Sequence, residues 1–278
     1  MGIVYKAHDT KLNRTVALKF LSSHGTPSDN ERKRFIHEAQ SASTLEHPNI
    51  CTIHEIDETS DGQLFIVMPC YEGETLEQKI ERGGTALFPF EEAFDIAIQI
   101  ANGLRAAHEK EIVHRDIKSS NIFITQKGQV KIMDFGLARK SDMSQITQKG
   151  MTLGTVPYMS PEQARGEKLD HRTDIWSLGV VLYEIISGRL PFQSDYAEAL
   201  VYSIINEEPE PLTSLRSNVP MELERIVQKA MQKERTKRYQ RLEDMLVDLR
   251  ESRRGVDAGT TTRVTAKPRN TSRRNLWV

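Results

Sequence analysis

The sequence predicts an α+β chain in two unequal parts: a small antiparallel sheet with one main helix, then a larger, mainly helical part. Three patterns carry that expectation. MGIVYKAHDTKLNRTVALKFL alternates apolar and polar residues around a turn at His8 to Arg14, and CTIHEI and LFIVM read as two more strands bracketing an Asp61-Gly62 turn. Residues 28–45 place Phe35, Ile36, Ala39, Ala42 and Leu45 at helical spacing, which lays an amphipathic helix against that sheet. DIWSLGVVLYEII, from Asp174 to Ile186, is too apolar for a surface helix and reads as the buried spine of the second part.

The remaining elements follow from local chemistry. Ser28 or Asp29 is an N-cap candidate for the first helix, and His47-Pro48-Asn49 breaks the chain after it. Gly83-Gly84 and Pro89 mark loops before a long amphipathic helix from Phe90 to His108. Ile122 to Ile124 and Val130 to Ile132 read as two strands about a Lys127-Gly128 turn. SDMSQITQKGMTLGT lacks periodicity and reads as a long functional loop. Asp174 reads as the N-cap of its helix; further helices are expected at Ala197 to Asn206, Met221 to Gln232 and Leu242 to Ser252. From Arg253 onward apolar content nearly vanishes and basic residues far outnumber the single acid Asp257, the composition of a disordered tail.

Composition excludes several classes. At 278 residues and 38% apolar content the chain can bury a sizeable core. Its 38 basic and 39 acidic residues leave no global field to attract nucleic acid. Cys51 and Cys70 have no CxxC spacing and the histidines no metal-ligand spacing, which argues against a disulfide framework or zinc site and suits a reducing cytoplasm. No apolar run approaches the ~18 residues of a membrane span.

Chemistry concentrates in HRDIKSSNIFITQKGQVKIMDFG, from His114 to Gly136. The two expected strands would bring Asp116, Lys118 and Asn121 to the same side as Asp134. His-Arg-Asp, a Lys two residues beyond the Asp, an Asn five beyond it and then Asp-Phe-Gly resemble the catalytic and metal loops of the protein kinases. The wording GIVYKAHD and MSPEQA resembles the eukaryotic-like serine/threonine kinases of bacteria.

The resemblance implies a bilobal kinase-like fold, with an N-lobe at 1–68, a hinge at 69–73, a C-lobe at 74–252 and a basic tail or juxtamembrane linker at 253–278. Gly2 and Val4 match the end of the glycine-rich loop, whose first strand and first two glycines would fall before Met1 and leave its lid half present. Val16-Ala17-Leu18-Lys19 matches the strand whose lysine grips the α- and β-phosphates of ATP, and Glu38 the helix glutamate that restrains that lysine. Met68 would limit the adenine pocket, Pro69 would offer a carbonyl and Tyr71 an N–H to the base, and Phe123 would line the nucleotide site. Asp134 and Asn121 would hold Mg2+, Asp116 would take or orient the proton of the attacking hydroxyl, and Lys118 would neutralise charge on the transferred group. Thr155 would hold Asp116 and Lys118 together near the substrate.

Regulation and partners are implied in the same way. Thr147 and Thr152 stand where such kinases are phosphorylated, and Arg115 would pair with the added phosphate. Glu162, in the Ser-Pro-Glu segment, would pair with Arg238, while Asp174 would brace the catalytic loop. The expected activity is ATP- and Mg2+-dependent phosphorylation of protein serine or threonine, with self-association for autophosphorylation, no nucleic acid, and a membrane tether only if a longer chain continues past Val278. The competing readings are a pseudokinase scaffold with impaired ATP binding and a small-molecule phosphotransferase of related fold.

Overall fold

The structure is a computed structural model and describes residues 3–20, 29–84, 87–135 and 154–257. Strand β1 (Val4–Asp9) turns back into β2 (Arg14–Phe20), as the alternation predicts. The turn is closed by the Asp9 carboxylate, which accepts the N–H groups of Lys11 and Leu12 at 3.1 Å, and Asn13 takes the left-handed conformation, φ +50°. β2 pairs with β4 (Leu64–Pro69), and β3 (Glu55–Glu58) adds to the far side of β4, so the antiparallel order is β1-β2-β4-β3. Helix α1 (Asp29–Ser43) lays Ala39 on Leu64 and Ile66.

The strand expected over CTIHEI is shifted. Its first residues join the other lobe: Cys51 donates its N–H to the Ile132 carbonyl at 2.9 Å, and the Asn49 carbonyl accepts from Ile132 N–H at 2.8 Å. Those backbone groups are therefore unavailable to β4, and pairing with it begins only around His54, which donates to Val67 at 2.8 Å. Asn49 strengthens the tie by donating its amide to the Val130 carbonyl at 3.0 Å.

A second sheet lies just past the hinge. β5 (Gly73–Thr75) pairs with β6 (Ile122–Thr125), which pairs with β7 (Val130–Ile132). β5 has no apolar alternation to announce it. Gly73 permits it, because φ is +150° and a Cβ would lie 2.1 Å from the Ile124 carbonyl oxygen. Thr75 then starts α2 (Leu76–Gly83) with a capping box closed by Gln78.

The larger lobe is built on α3 (Phe90–His108) and α5 (Arg172–Ser187), joined by the short α4 (Pro161–Ala164), α6 (Ala197–Asn206), α7 (Leu212–Leu215), α8 (Met221–Ala230) and α9 (Leu242–Asp257). α5 is buried from Thr173 to Ile186, and Trp176 and Val180 are inaccessible to solvent. It is the spine that its apolar content predicts. α9 runs past Ser252 to Asp257, and Arg253 pairs with Asp95 of α3 at 3.0 Å; the first residues expected in the tail are thus helical. Among the described residues no helix is long and apolar enough to cross a membrane.

Candidate active site

The loop between α3 and β6 carries His114, Arg115 and Asp116, and its backbone is held from below. Asp174 accepts the N–H of His114 at 2.9 Å through Oδ2 and that of Arg115 at 2.8 Å through Oδ1. His108 Nε2 lies 2.7 Å from the same Oδ2. Burial opposes charge on Asp174, but hydrogen bonds from His108 and the loop backbone outweigh it and hold the carboxyl below its ordinary range. Of the two roles expected of Asp174 the brace is the one observed and the N-cap is not: His171 is the cap residue, and Asp174, in the first turn of α5, spends both oxygens on the catalytic loop.

His114 links the two acidic loops. Its Nδ1 accepts the Asp116 N–H at 3.2 Å while its Nε2–H donates to the Met133 carbonyl at 2.9 Å, which fixes the tautomer. The backbone immediately before Asp134 is thereby registered against that of Asp116. Phe135 packs edge-on against the His114 ring at 4.6 Å.

Asp116, Lys118, Asn121 and Thr155 converge as the sequence implies. Lys118 Nζ lies 3.0 Å from Asp116 Oδ2 and donates to Thr155 Oγ1 at 2.8 Å. Asn121 donates its amide to Asp116 Oδ2 at 3.0 Å and to the Asp116 carbonyl at 2.8 Å. Asp116 Oδ1 is buried with no hydrogen-bond partner among the described residues. An unsatisfied carboxylate oxygen is an acceptor awaiting a proton donor.

Across the cleft, Lys19 of β2 forms an ion pair with Asp134, which sits at φ +61°. Asp134 and Asn121 supply hard carboxylate and amide oxygens, a donor set suited to Mg2+ that takes its other ligands from phosphate and water. Among the described residues no group of three or more His, Cys, Asp or Glu side chains could hold a metal by itself.

The hinge side of the cleft is apolar. Ala17, Cys51 and Met68 form one buried cluster, with Tyr71 and Met133 packed against it. Cys51 Sγ lies 3.9 Å from Met68 Sδ, and burial pushes its thiol up to about 12, so it stays a protonated, inert wall residue. The Tyr71 and Phe123 rings are 6.2 Å apart. Pro69 ends β4 opposite Val16. Val4 is opposite Lys19 in register and half exposed.

Glu162 and Arg238 form a buried bidentate pair at 2.6 and 2.7 Å. Ser160, before them, caps α4 with Gln163 in a capping box. Gly2, Thr147, Thr152 and the Glu38 side chain lie outside the described residues. Arg115 is exposed at φ +66°.

Sequence reasoning missed His108, Gln163 and Glu184. His108 reads as an ordinary helix residue, yet it touches Asp174; Gln163 donates its amide to the Arg115 carbonyl at 2.8 Å. Their partners are far away in the chain, so no local pattern marks them.

Two lobes meet at a cleft, with a sheet lysine on one wall and two acidic loops on the other. The chain belongs to the protein kinase family, whose protein kinase domain model matches residues 1–247. It is 39% identical over 249 residues to a probable serine/threonine-protein kinase of Clostridium perfringens, covering 90% of this chain and 36% of that protein. The serine/threonine-protein kinase PrkC of Bacillus subtilis is 40% identical over 250 residues, with 90% and 38% covered. The crystal structure of the Mycobacterium tuberculosis PknI kinase domain matches with a TM-score of 0.72 at 25% identity, over 91% of each chain. The chain spans 36% and 38% of the length of these two curated relatives.

Proposed function

We propose that this chain transfers the γ-phosphoryl group of ATP to serine and threonine hydroxyls of proteins. One observation carries the reading: among the described residues Asp116 keeps one buried carboxylate oxygen without a partner, while Lys118 and Asn121 hold the other at 3.0 Å. An acceptor so fixed would take the hydroxyl proton as the new O–P bond forms and the bond from the γ-phosphorus to the bridging oxygen breaks, that oxygen leaving with ADP; rotation of the carboxylate is resisted from two sides.

The other residues share the work of positioning and charge. Lys118 neutralises charge on the group in transit and, through Thr155, keeps the substrate segment beside Asp116. Lys19, now paired with Asp134, would grip the α- and β-phosphates. Asp134 and Asn121 would hold Mg2+, which supplies neutralisation of the phosphate oxygens. Ala17, Met68, Tyr71 and Phe123 form the apolar walls for the base. The choice of serine and threonine follows from Lys118 two residues beyond Asp116 and from the names of the relatives.

Phosphate on Thr147 or Thr152, read by the exposed Arg115, would regulate the site. Protein substrates, self-association for autophosphorylation, a cytoplasmic location and, only if a longer chain continues past Val278, a membrane tether belong to the same proposal. Lys19 faces Asp134 and Asn121 contacts Asp116, which supports this reading, and no specific observation favours a scaffold without activity. The test is transfer of radiolabelled γ-phosphate from ATP to dephosphorylated casein with Mg2+ present, paired with melting of the chain with and without ATP and Mg2+. Label on serine and threonine and a raised melting temperature are expected. Absence of both would overturn the reading.

A further inference from the structure

Beneath the Lys118–Thr155 contact lies a second link between the same two segments. Ser119 Oγ is 2.7 Å from the Tyr158 hydroxyl, and Tyr158 donates to Glu184 Oε2 at 2.8 Å. Ser119 also faces Glu184 Oε1, at 3.5 Å. Ser177 of α5 donates to the Tyr158 carbonyl at 2.9 Å. Glu184 is 9% exposed, Tyr158 6% and Ser119 1%. No step of the proposed transfer uses this group of three.

We propose that Glu184 is a positioning residue for phosphoryl transfer, a proton-switched bolt that sets residues 154–160, and with them the incoming hydroxyl, against Asp116 and Lys118. This rests on the kinase reading and deepens it.

Counting protons gives the two states. An ionised carboxylate only accepts. Tyr158 then donates to Oε2, Ser119 donates to the Tyr158 oxygen, and Oε1 keeps only the long contact. With one more proton, Glu184 donates to Tyr158, Tyr158 to Ser119, and Ser119 must close the ring on Oε1. Closing 3.5 Å to an ordinary O–H···O length near 2.8 Å draws Ser119 toward α5. Ser119 opens the 3-10 turn Ser119–Asn121, whose last residue holds Asp116, so the proton is felt at the reacting oxygen.

The surroundings favour titration near neutrality. Burial pushes the Glu184 carboxyl up to about 7 against the opposing hydrogen bonds of Tyr158 and Ser119, and Glu77 of α2 pushes the same way as burial. Among the described residues no cation acts on it, and none of the groups that do comes from α3 or α8, which pack on α5. Burial also pushes the Tyr158 hydroxyl up, so it stays protonated. Both states of Glu184 are therefore populated around pH 7.

The test is a pH series on the full chain and Glu184→Gln, whose amide accepts from Tyr158 and donates to Ser119 without titrating. Wild type should change kcat/KM for dephosphorylated casein about three- to tenfold through an inflection near pH 7. Glu184→Gln should be flat, with KM for ATP within about twofold of wild type. An inflection retained in Glu184→Gln, or a KM for ATP that moves as much as that for casein, overturns the proposal. Should that variant not fold, Ser119→Ala must at least halve the inflection, and an unchanged one overturns it. A readout independent of transfer is the melting temperature. Native Glu184 binds a proton that the unfolded chain has released above the ordinary value of 4.5, so stability falls as pH rises from there through about 7. That decline should vanish in Glu184→Gln. If wild type phosphorylates nothing at any pH, the kinase reading fails and the melting series alone decides the switch: a decline lost in the variant supports it, one retained overturns it.

Discussion

Arg115 stands at φ +66°, and its N–H is held at 2.8 Å by the Asp174 carboxylate, 59 residues further along the chain. A non-glycine residue in that conformation carries strain. Asp174 supplies the restraint, and its second oxygen does the same for His114 at 2.9 Å. The loop that presents Asp116 is therefore shaped by the first turn of α5.

Asp174→Ala should leave two backbone N–H groups without their acceptor and lower stability by roughly 3 kcal/mol or more. Urea unfolding measures it, and kcat should fall with it. The folded carboxyl is held below the ordinary value of 3.8, so its contribution is complete above that pH and is lost as pH falls through the lower folded value. The stability gap between wild type and Asp174→Asn should thus shrink only in acid below about 4.

The Glu162–Arg238 pair is buried, with side-chain exposures of 2% and 0%. Arg238→Met leaves a buried carboxylate unpaired and should destabilise by about 3–5 kcal/mol. Pairing it with Glu162→Gln should recover part of that loss. A double-mutant cycle on melting temperatures gives the coupling.

Gly179 lets α5 pack tightly on the end of α8: a Cβ there would meet Ala230 Cβ and Met231 Cγ at 2.9 Å. Gly179→Ala should cost about 1–3 kcal/mol by overpacking, and Gly179→Val more, in thermal unfolding.

Lys19→Met keeps the stem of the side chain and removes the charge facing Asp134. The loss of stabilisation by ATP and Mg2+ should be seen as a smaller melting shift at equal nucleotide, with at least a tenfold fall in kcat/KM, on the order of 1.4 kcal/mol.

Local periodicity made much of the fold legible. β1, β2, α3, the β6–β7 hairpin and α5 lie where alternation and apolar content put them, because each decides its own burial. β3 was displaced because the Cys51 N–H is claimed by Ile132, a contact no local pattern contains. β5 was missed because what allows it is the missing side chain of Gly73 against Ile124. In the site, Asp116, Lys118, Asn121, Asp134 and Thr155 were readable from motif spacing. The Glu184 network was not, since it joins three segments each of which looks complete by itself. Asp174 was readable as the brace of the loop only through the family resemblance; the local pattern by itself suggested a cap, because its partners His114 and Arg115 stand far back in the chain.

The most direct test of the account is single-turnover transfer from ATP and Mg2+ to dephosphorylated casein by wild type and Asp116→Asn. Asn keeps the shape of the side chain and the contact with Lys118 but cannot take the hydroxyl proton. The account predicts a fall in the transfer rate of at least about a hundredfold, with ATP affinity unchanged within about twofold. A transfer rate in Asp116→Asn equal to wild type would contradict it.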